Sequence, residues 1–214
     1  MGVSLYKVNI APANAAPKVV ALTGPIAGGK SLALGFFREL GAATVDADEV
    51  AHGLYAPGGP LPPALAAIFG TEVMAPDGSV DRKALARIVF SDPSALAVLN
   101  TTTHPLIRER LAQWRDDVCA CGQVGIAAIP LLFESRMDGD WDATACLVVP
   151  EEVLLPRLLA RGLSESAARA RLASQLPPAD KAARANFLLP NDSSPEALRN
   201  VCASFYAALK SGLS

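Results

Sequence analysis

Eight residues, Gly24-Pro25-Ile26-Ala27-Gly28-Gly29-Lys30-Ser31, constrain this chain more than any other stretch. They satisfy the pattern G-x-x-x-x-G-K-[ST] and stand between an apolar run, Val19 to Leu22, and a helix-like pattern, Ser31 to Leu40. A short continuous apolar run predicts a strand buried on both faces. Leu32, Phe36, Phe37 and Leu40 fall on one helical stripe, with Gly41 following as a C-cap. Small residues between strand and helix let backbone N–H groups converge on phosphate oxygens, and the helix adds its own N-terminal donors and positive dipole end. Lys30 is then expected to reach the β- and γ-phosphates of a nucleotide, and the Ser31 hydroxyl to lie on Mg²⁺. The nucleotide contacts would fall on Gly24, Ala27, Gly28, Gly29, Lys30, Ser31 and Leu32. Pro25 removes one N–H early in the loop, where that donor is dispensable. The plainer alternative is a glycine turn that happens to follow a strand.

Beyond this loop the chain keeps alternating. Strands are expected at Ala42 to Val45, Val124 to Ile129, Ala143 to Val149 and Phe187 to Leu189, with helical patterns between most of them. Such alternation implies an α/β fold with a parallel sheet flanked by helices. Two stretches break it. The segment between Val50 and Cys121 is too long for one crossover and mostly helical in pattern, which predicts a helical insertion over 51–121. From Glu151 the pattern gives a helix to Arg161, a stop at Gly162, a second helix from a Ser164 cap to Leu176, and then Pro177-Pro178. This is a second insertion, 151–184. The core would then comprise 18–50, 122–150 and 185–214, preceded by a loose Ala-, Pro- and Asn-rich leader over 1–17.

Composition narrows the function. Hydrophobic residues make up 51% of 214, enough for a sizeable core, and the formal charge of -2 argues against nucleic acid held by bulk charge. Four cysteines without C-x-x-C spacing and only two histidines make a zinc site improbable. With no signal peptide visible, a reduced cytoplasmic setting is expected. No run of about 18 apolar residues is present, so no membrane span is expected.

Phosphoryl transfer needs an acceptor, a group to orient or deprotonate it, and positive charge for the moving phosphoryl. Asp46 and Asp48, in "TVDADEV", emerge at the C-terminal end of a strand, the side where open α/β sheets bind ligands. One would accept a hydroxyl proton and the other hold metal-bound water; the alternative is a pair of solvated carboxylates or a helix cap. Arg157 and Arg161, four apart on one helix face, with Arg169 and Arg171 on the next helix, suit a lid over the phosphates. A solvated basic face paired with Glu151, Glu152 and Glu165 is the alternative. His104, in "THPLIRER", either binds a substrate phosphate or caps a helix starting near Pro105.

Taken together, "LTGPIAGGKS", "LGAATVDADEVAH", "IFGTEV", "DGSVDRKALARIVF", "THPLI", "IPLLFES", "RLLARGLSESAARARLASQ" and "ANFLLPN" resemble, in order and spacing, the bacterial dephospho-CoA kinases. The resemblance runs from about Val19 to Leu198. It implies ATP-dependent phosphorylation of the ribose 3′-hydroxyl of dephospho-CoA, with Mg²⁺, giving CoA and ADP as the last step of CoA biosynthesis. It also implies a P-loop kinase core, a helical CoA-binding insertion and a lid. Carried over, Asp48 resembles the catalytic base, with Asp46 nearby. Arg82, His104, Leu131 and Glu134 would shape the acceptor side; Arg157, Arg161 and Gln175 match the lid, and Asn191 the adenine side. Another small-molecule P-loop kinase, or a nucleotide sensor without catalysis, are the competing readings. The sequence departs from the family pattern at Leu32, where a hydroxyl is usual, and at His52, where an arginine is expected. It also departs at Leu154 and Pro156 in the lid helix, and at Asn186 and Pro190 in place of aspartates.

Overall fold

The computed structural model describes residues 6–7 and 18–212. Five parallel strands form the sheet: β2 (Val19–Thr23), β3 (Ala43–Asp46), β4 (Gly125–Ala128), β5 (Ala143–Val148) and β6 (Phe187–Pro190). A two-residue strand, β1 (Tyr6–Lys7), adds antiparallel to β6, giving the order β1-β6-β5-β2-β4-β3. β1 falls within the segment expected to be a loose leader; the rest of that segment lies outside the described residues. Strand β2 is central and every one of its residues is buried, as its unbroken apolar run requires.

One face of the sheet is covered by α1 (Lys30–Glu39) and α9 (Pro195–Ser211). Phe36 and Phe37 of α1, and Val201, Cys202 and Phe205 of α9, close over Val20, Leu22, Ile126 and Leu147. Phe205 is the hinge of this layer, its ring 6.3 Å from Phe37 and 5.2 Å from Phe187. Helix α9 starts as its sequence dictates, with the Ser194 hydroxyl accepting from Ala197 N–H and Pro195 in the first turn. Gly41, at φ +94°, ends α1 in the left-handed conformation that its lack of a Cβ permits.

The chain separates into two compact units, 47–113 and the remainder. The first contains α2 (Ala47–Leu54), α3 (Leu61–Phe69), α4 (Arg82–Ser91) and the first part of α5 (Pro93–Ala120). Leu54, Leu61, Leu65, Val73, Val80 and Leu85 form its own buried core. Its bounds differ from the expected 51–121 for local reasons. Helix α2 begins directly at the end of β3, and the last turns of α5 lie against the sheet, where Trp114 and Val118 pack on Gly125. Helix α5 also overturns one expectation. No helix starts near Pro105; the helix starts at Pro93, with Asp92 accepting from Ser94 N–H at 2.8 Å, and runs through Pro105.

In the larger unit, α6 (Glu151–Ala160), α7 (Glu165–Ala173) and α8 (Pro178–Arg184) lie between β5 and β6. Gly162 and the Ser164 cap fall where the sequence places them. Helix α7 stops at Ala173 rather than Leu176, and Pro178 opens α8 instead of only closing what precedes it. Proline at a first helical position has the φ the helix needs and lacks only an N–H that would have had no partner.

Candidate functional site

The loop after β2 is shaped by its own backbone. Gly24 sits at φ +147° with β5 so close that a Cβ would come within 3.0 Å of the Leu147 Cβ. Gly29, at φ +90°, is the N-cap of α1 in left-handed conformation; a side chain there would also collide with the Asn191 amide. Ala27 takes φ +59°, and Gly28 N–H donates to the Pro25 carbonyl at 3.0 Å. Pro25 therefore contributes an acceptor to the loop where it lacks a donor. The Lys30 ammonium folds back over this turn, donating to the Gly24 and Pro25 carbonyls, each at 2.9 Å. Ser31 and Leu32, in the first turn of α1, face outward, Leu32 with 44% of its surface exposed.

Asn191, just past β6, is buried and donates its amide to the Gly28 carbonyl at 2.9 Å. That donor is spent on holding the loop from beneath. From the other side, α6 and α7 close on it: Ala27 is buried with Leu158 and Ala168, and Ile26 packs against them. Arg157 of α6 donates to the Ala27 carbonyl at 3.4 Å. Arg161, at the end of α6, is exposed and makes no ion pair with a described residue. Arg169 pairs with Glu165 at 2.7 Å on an exposed helix face, as the solvated alternative had it. A cavity of about 510 Å³ remains between Pro25 and Ile26 on the loop, Leu154 and Arg169 on the two helices, and the Gln175–Ala179 segment.

At the same edge of the sheet, Asp46 ends β3 in register with Ala128 and, through it, with Leu22. Thr23 is buried, and its hydroxyl donates to the Pro130 carbonyl at 3.3 Å. Leu131 is 43% exposed, whereas Glu134 turns inward. One Glu134 oxygen accepts from the Lys181 ammonium and from Leu176 N–H, each at 2.9 Å; the other is buried with no hydrogen-bond partner among the described residues. Burial alone would push this carboxyl up, but the bonds from Lys181 and Leu176 outweigh it and hold it below the usual glutamate value. Lys181 is fully buried and was invisible to sequence reasoning, since nothing in "PADKAAR" separates it from a surface lysine.

The remaining candidates lie in the 47–113 unit. Asp48 is exposed in the first turn of α2. Arg82, at the start of α4, is 3.2 Å from His52 Nδ1, so the histidine at the position where an arginine is expected faces the other arginine directly. Tyr55, also missed from sequence, lies within reach of Arg82 and Thr103. Burial pushes its phenol up, against the pull of the Arg82 charge and a bond to Thr103. His104 is exposed in the middle of α5 and caps nothing.

A loop of this kind is common to many kinases, so the comparison with known proteins decides among them. The dephospho-CoA kinase family model matches residues 18–196. The chain belongs to the dephospho-CoA kinase family. A dephospho-CoA kinase of Anaeromyxobacter dehalogenans is 41% identical over 197 residues, covering 91% of this chain and 93% of the relative. One of Moorella thermoacetica is 41% identical over 184 residues, covering 85% and 87%. The solved dephospho-CoA kinase of Campylobacter jejuni superposes with a TM-score of 0.73 at 28% identity, covering 92% of this chain and 99% of that one. A shikimate kinase of Bacteroides thetaiotaomicron, at 13% identity and a TM-score of 0.51, shares the fold alone. The resemblance read from "PLLFE", "DR…VF" and "THPLI" therefore holds, and the dephospho-CoA kinase family takes in both units of the chain. Among the described residues no cluster of three or more His, Cys, Asp or Glu could hold a metal, and no helix is long and apolar enough to cross a membrane.

Proposed function

We propose that this chain transfers the γ-phosphoryl of ATP to the ribose 3′-hydroxyl of dephospho-CoA, releasing CoA and ADP. The observation that carries the reading is the phosphate loop set between β2 and α1 in a chain whose residues 18–196 match the dephospho-CoA kinase family. Backbone N–H groups of Ala27 to Ser31 and the α1 N-terminus would hold the β- and γ-phosphates. Lys30, now on the Gly24 and Pro25 carbonyls, would exchange them for phosphate oxygens. Mg²⁺ fits the donors at hand, because it keeps most of its own waters and asks little of the protein. Ser31 would supply a hydroxyl to it, and the cation would neutralise charge on the transferring group. Asp48 would take the proton of the acceptor hydroxyl, with Asp46 at the end of β3 holding water beside it. Arg157, already against the loop, would meet the charge of the transferring phosphoryl, with Arg161 behind it. Arg82, His104 and Leu131 would serve the acceptor side, and Gln175 the lid. Four free cysteines suit the reducing cytoplasm in which we place the reaction.

The test is ADP release with dephospho-CoA set against a panel of acceptors that includes shikimate and nucleosides. Release with dephospho-CoA alone, lost in Lys30→Ala, is the expected result. Release with another acceptor, or ATP binding without transfer, would overturn the reading.

A further inference from the structure

Lys181 is an anomaly: among the described residues it is the one charged side chain with no exposed surface. A buried ammonium persists only where its protons are satisfied. Its three partners belong to three different parts of the larger unit. The Pro130 carbonyl, at 2.8 Å, ends the β4 segment and also accepts from Thr23, the last residue before the phosphate loop. Glu134, at 2.9 Å, is on the following turn and also accepts from Leu176 N–H. Gln175, at 3.5 Å, stands with Leu176 in the connection between α7 and α8. The ammonium therefore joins the end of β2, the loop after β4 and the base of the α6–α7 pair at a single point. Helix α8 itself is fixed: Arg184 pairs with Asp138 at 3.2 Å and lies 4.4 Å over the Phe133 ring. The pair it steadies places Arg157 on the loop.

We infer that Lys181 is a positioning residue for phosphoryl transfer, setting where the α6–α7 pair, and with it Arg157, stands over the phosphate loop. The inference rests on the proposed kinase reading. It predicts that loss of Lys181 acts on turnover through Arg157, because a group displaced by about 1 Å loses on the order of 10²-fold in rate. Lys181→Met alone leaves Glu134 buried and unpaired and is a risk to folding. Lys181→Met with Glu134→Gln removes both charges and is the working variant.

The experiment measures kcat and the dephospho-CoA KM of the double variant in the unmutated and Arg157→Ala backgrounds. It also measures amide hydrogen exchange across residues 151–176 with a non-hydrolysable ATP analogue bound. Expected are a kcat lower by on the order of 10²-fold with KM changed less than about threefold. In the Arg157→Ala background kcat should hardly fall further, since the two act as a unit. Exchange over 151–176 should quicken. A raised KM at unchanged kcat would place Lys181 and Glu134 in the acceptor pocket and overturn the inference. So would kcat losses that multiply across the two backgrounds, or full activity in the variant. If the unmutated chain does not phosphorylate dephospho-CoA, the function reading falls separately, and exchange decides the inference alone: unchanged protection over 151–176 overturns it.

Discussion

Single residues show most plainly what the sequence could and could not tell. Gly24, Gly29 and Lys30 were legible because backbone geometry dictates them: a turn with positive φ admits few other side chains, and the motif fixes the spacing. Asn191 was legible only as a match to a family motif, and its place beneath Gly28 is a tertiary contact between residues far apart in the chain. Lys181 and Tyr55 were not legible at all, since burial of a polar side chain depends on partners that no local pattern announces. Asp48 carries the prediction that belongs at this scale. A carboxylate is normally ionised at neutral pH and needs no unusual environment to accept a proton late in a loose transition state. Asp48→Asn keeps the shape and removes the basicity. Calorimetry should find ATP and dephospho-CoA still bound, while steady-state ADP release falls by roughly 10²–10⁴-fold. Undiminished release would move the role to Asp46.

Elements were read well where periodicity alone decides and badly where proline does. The buried β2 and amphipathic α1 came directly from apolar spacing. Pro105 and Pro178 each stand at a place that local pattern alone does not settle. Pro105 looked like a helix start and lies inside α5, where the Thr101, Thr102 and Thr103 hydroxyls bond back to carbonyls of the preceding turn. Pro178, expected only to follow a helix ending at Leu176, opens α8. The same residue type serves both ends of a helix, and tertiary packing chooses. Helix α6 makes a prediction at this scale. Its two arginines share a face, yet Arg157 meets the loop and Arg161 meets solvent. Arg157→Ala should lower kcat by at least tenfold more than Arg161→Ala does, with little change in acceptor KM for Arg157. Equal losses in kcat would mean that Arg161 swings in when ligands bind.

For the molecule as a whole, the alternation of strands and helices announced the sheet, and the two breaks in it fall where the 47–113 unit and helices α6 to α8 lie. The bounds shifted because α2 starts without a linker and α5 is one helix of 28 residues spanning both the inserted unit and the core. A loop already held by Lys30, Asn191 and Arg157 has little left to order when nucleotide arrives. Nucleotide held by the folded chain and not by the unfolded one should also appear as stability. At ATP a hundredfold above its dissociation constant, linkage adds about 2.7 kcal/mol, or roughly 5–10 °C in melting temperature for a chain of this size. A thermal scan with MgATP checks this, and a shift below about 2 °C at that excess would show that nucleotide does not bind the folded chain selectively.

The placement of the cysteines turns the molecule into its own clock. Cys146 is buried in β5 and Cys202 on the sheet-facing side of α9, and burial pushes their thiols up to about 11 and about 12, where almost no reactive thiolate exists at neutral pH. Cys119 and Cys121 are exposed at the end of α5. An excess of a thiol reagent should therefore modify two groups promptly and two only as fast as the core opens. The slow phase, read by mass, reports the lifetime of the folded state without denaturant or heat. Four groups reacting at one rate would contradict the packing of β5 and α9 described above.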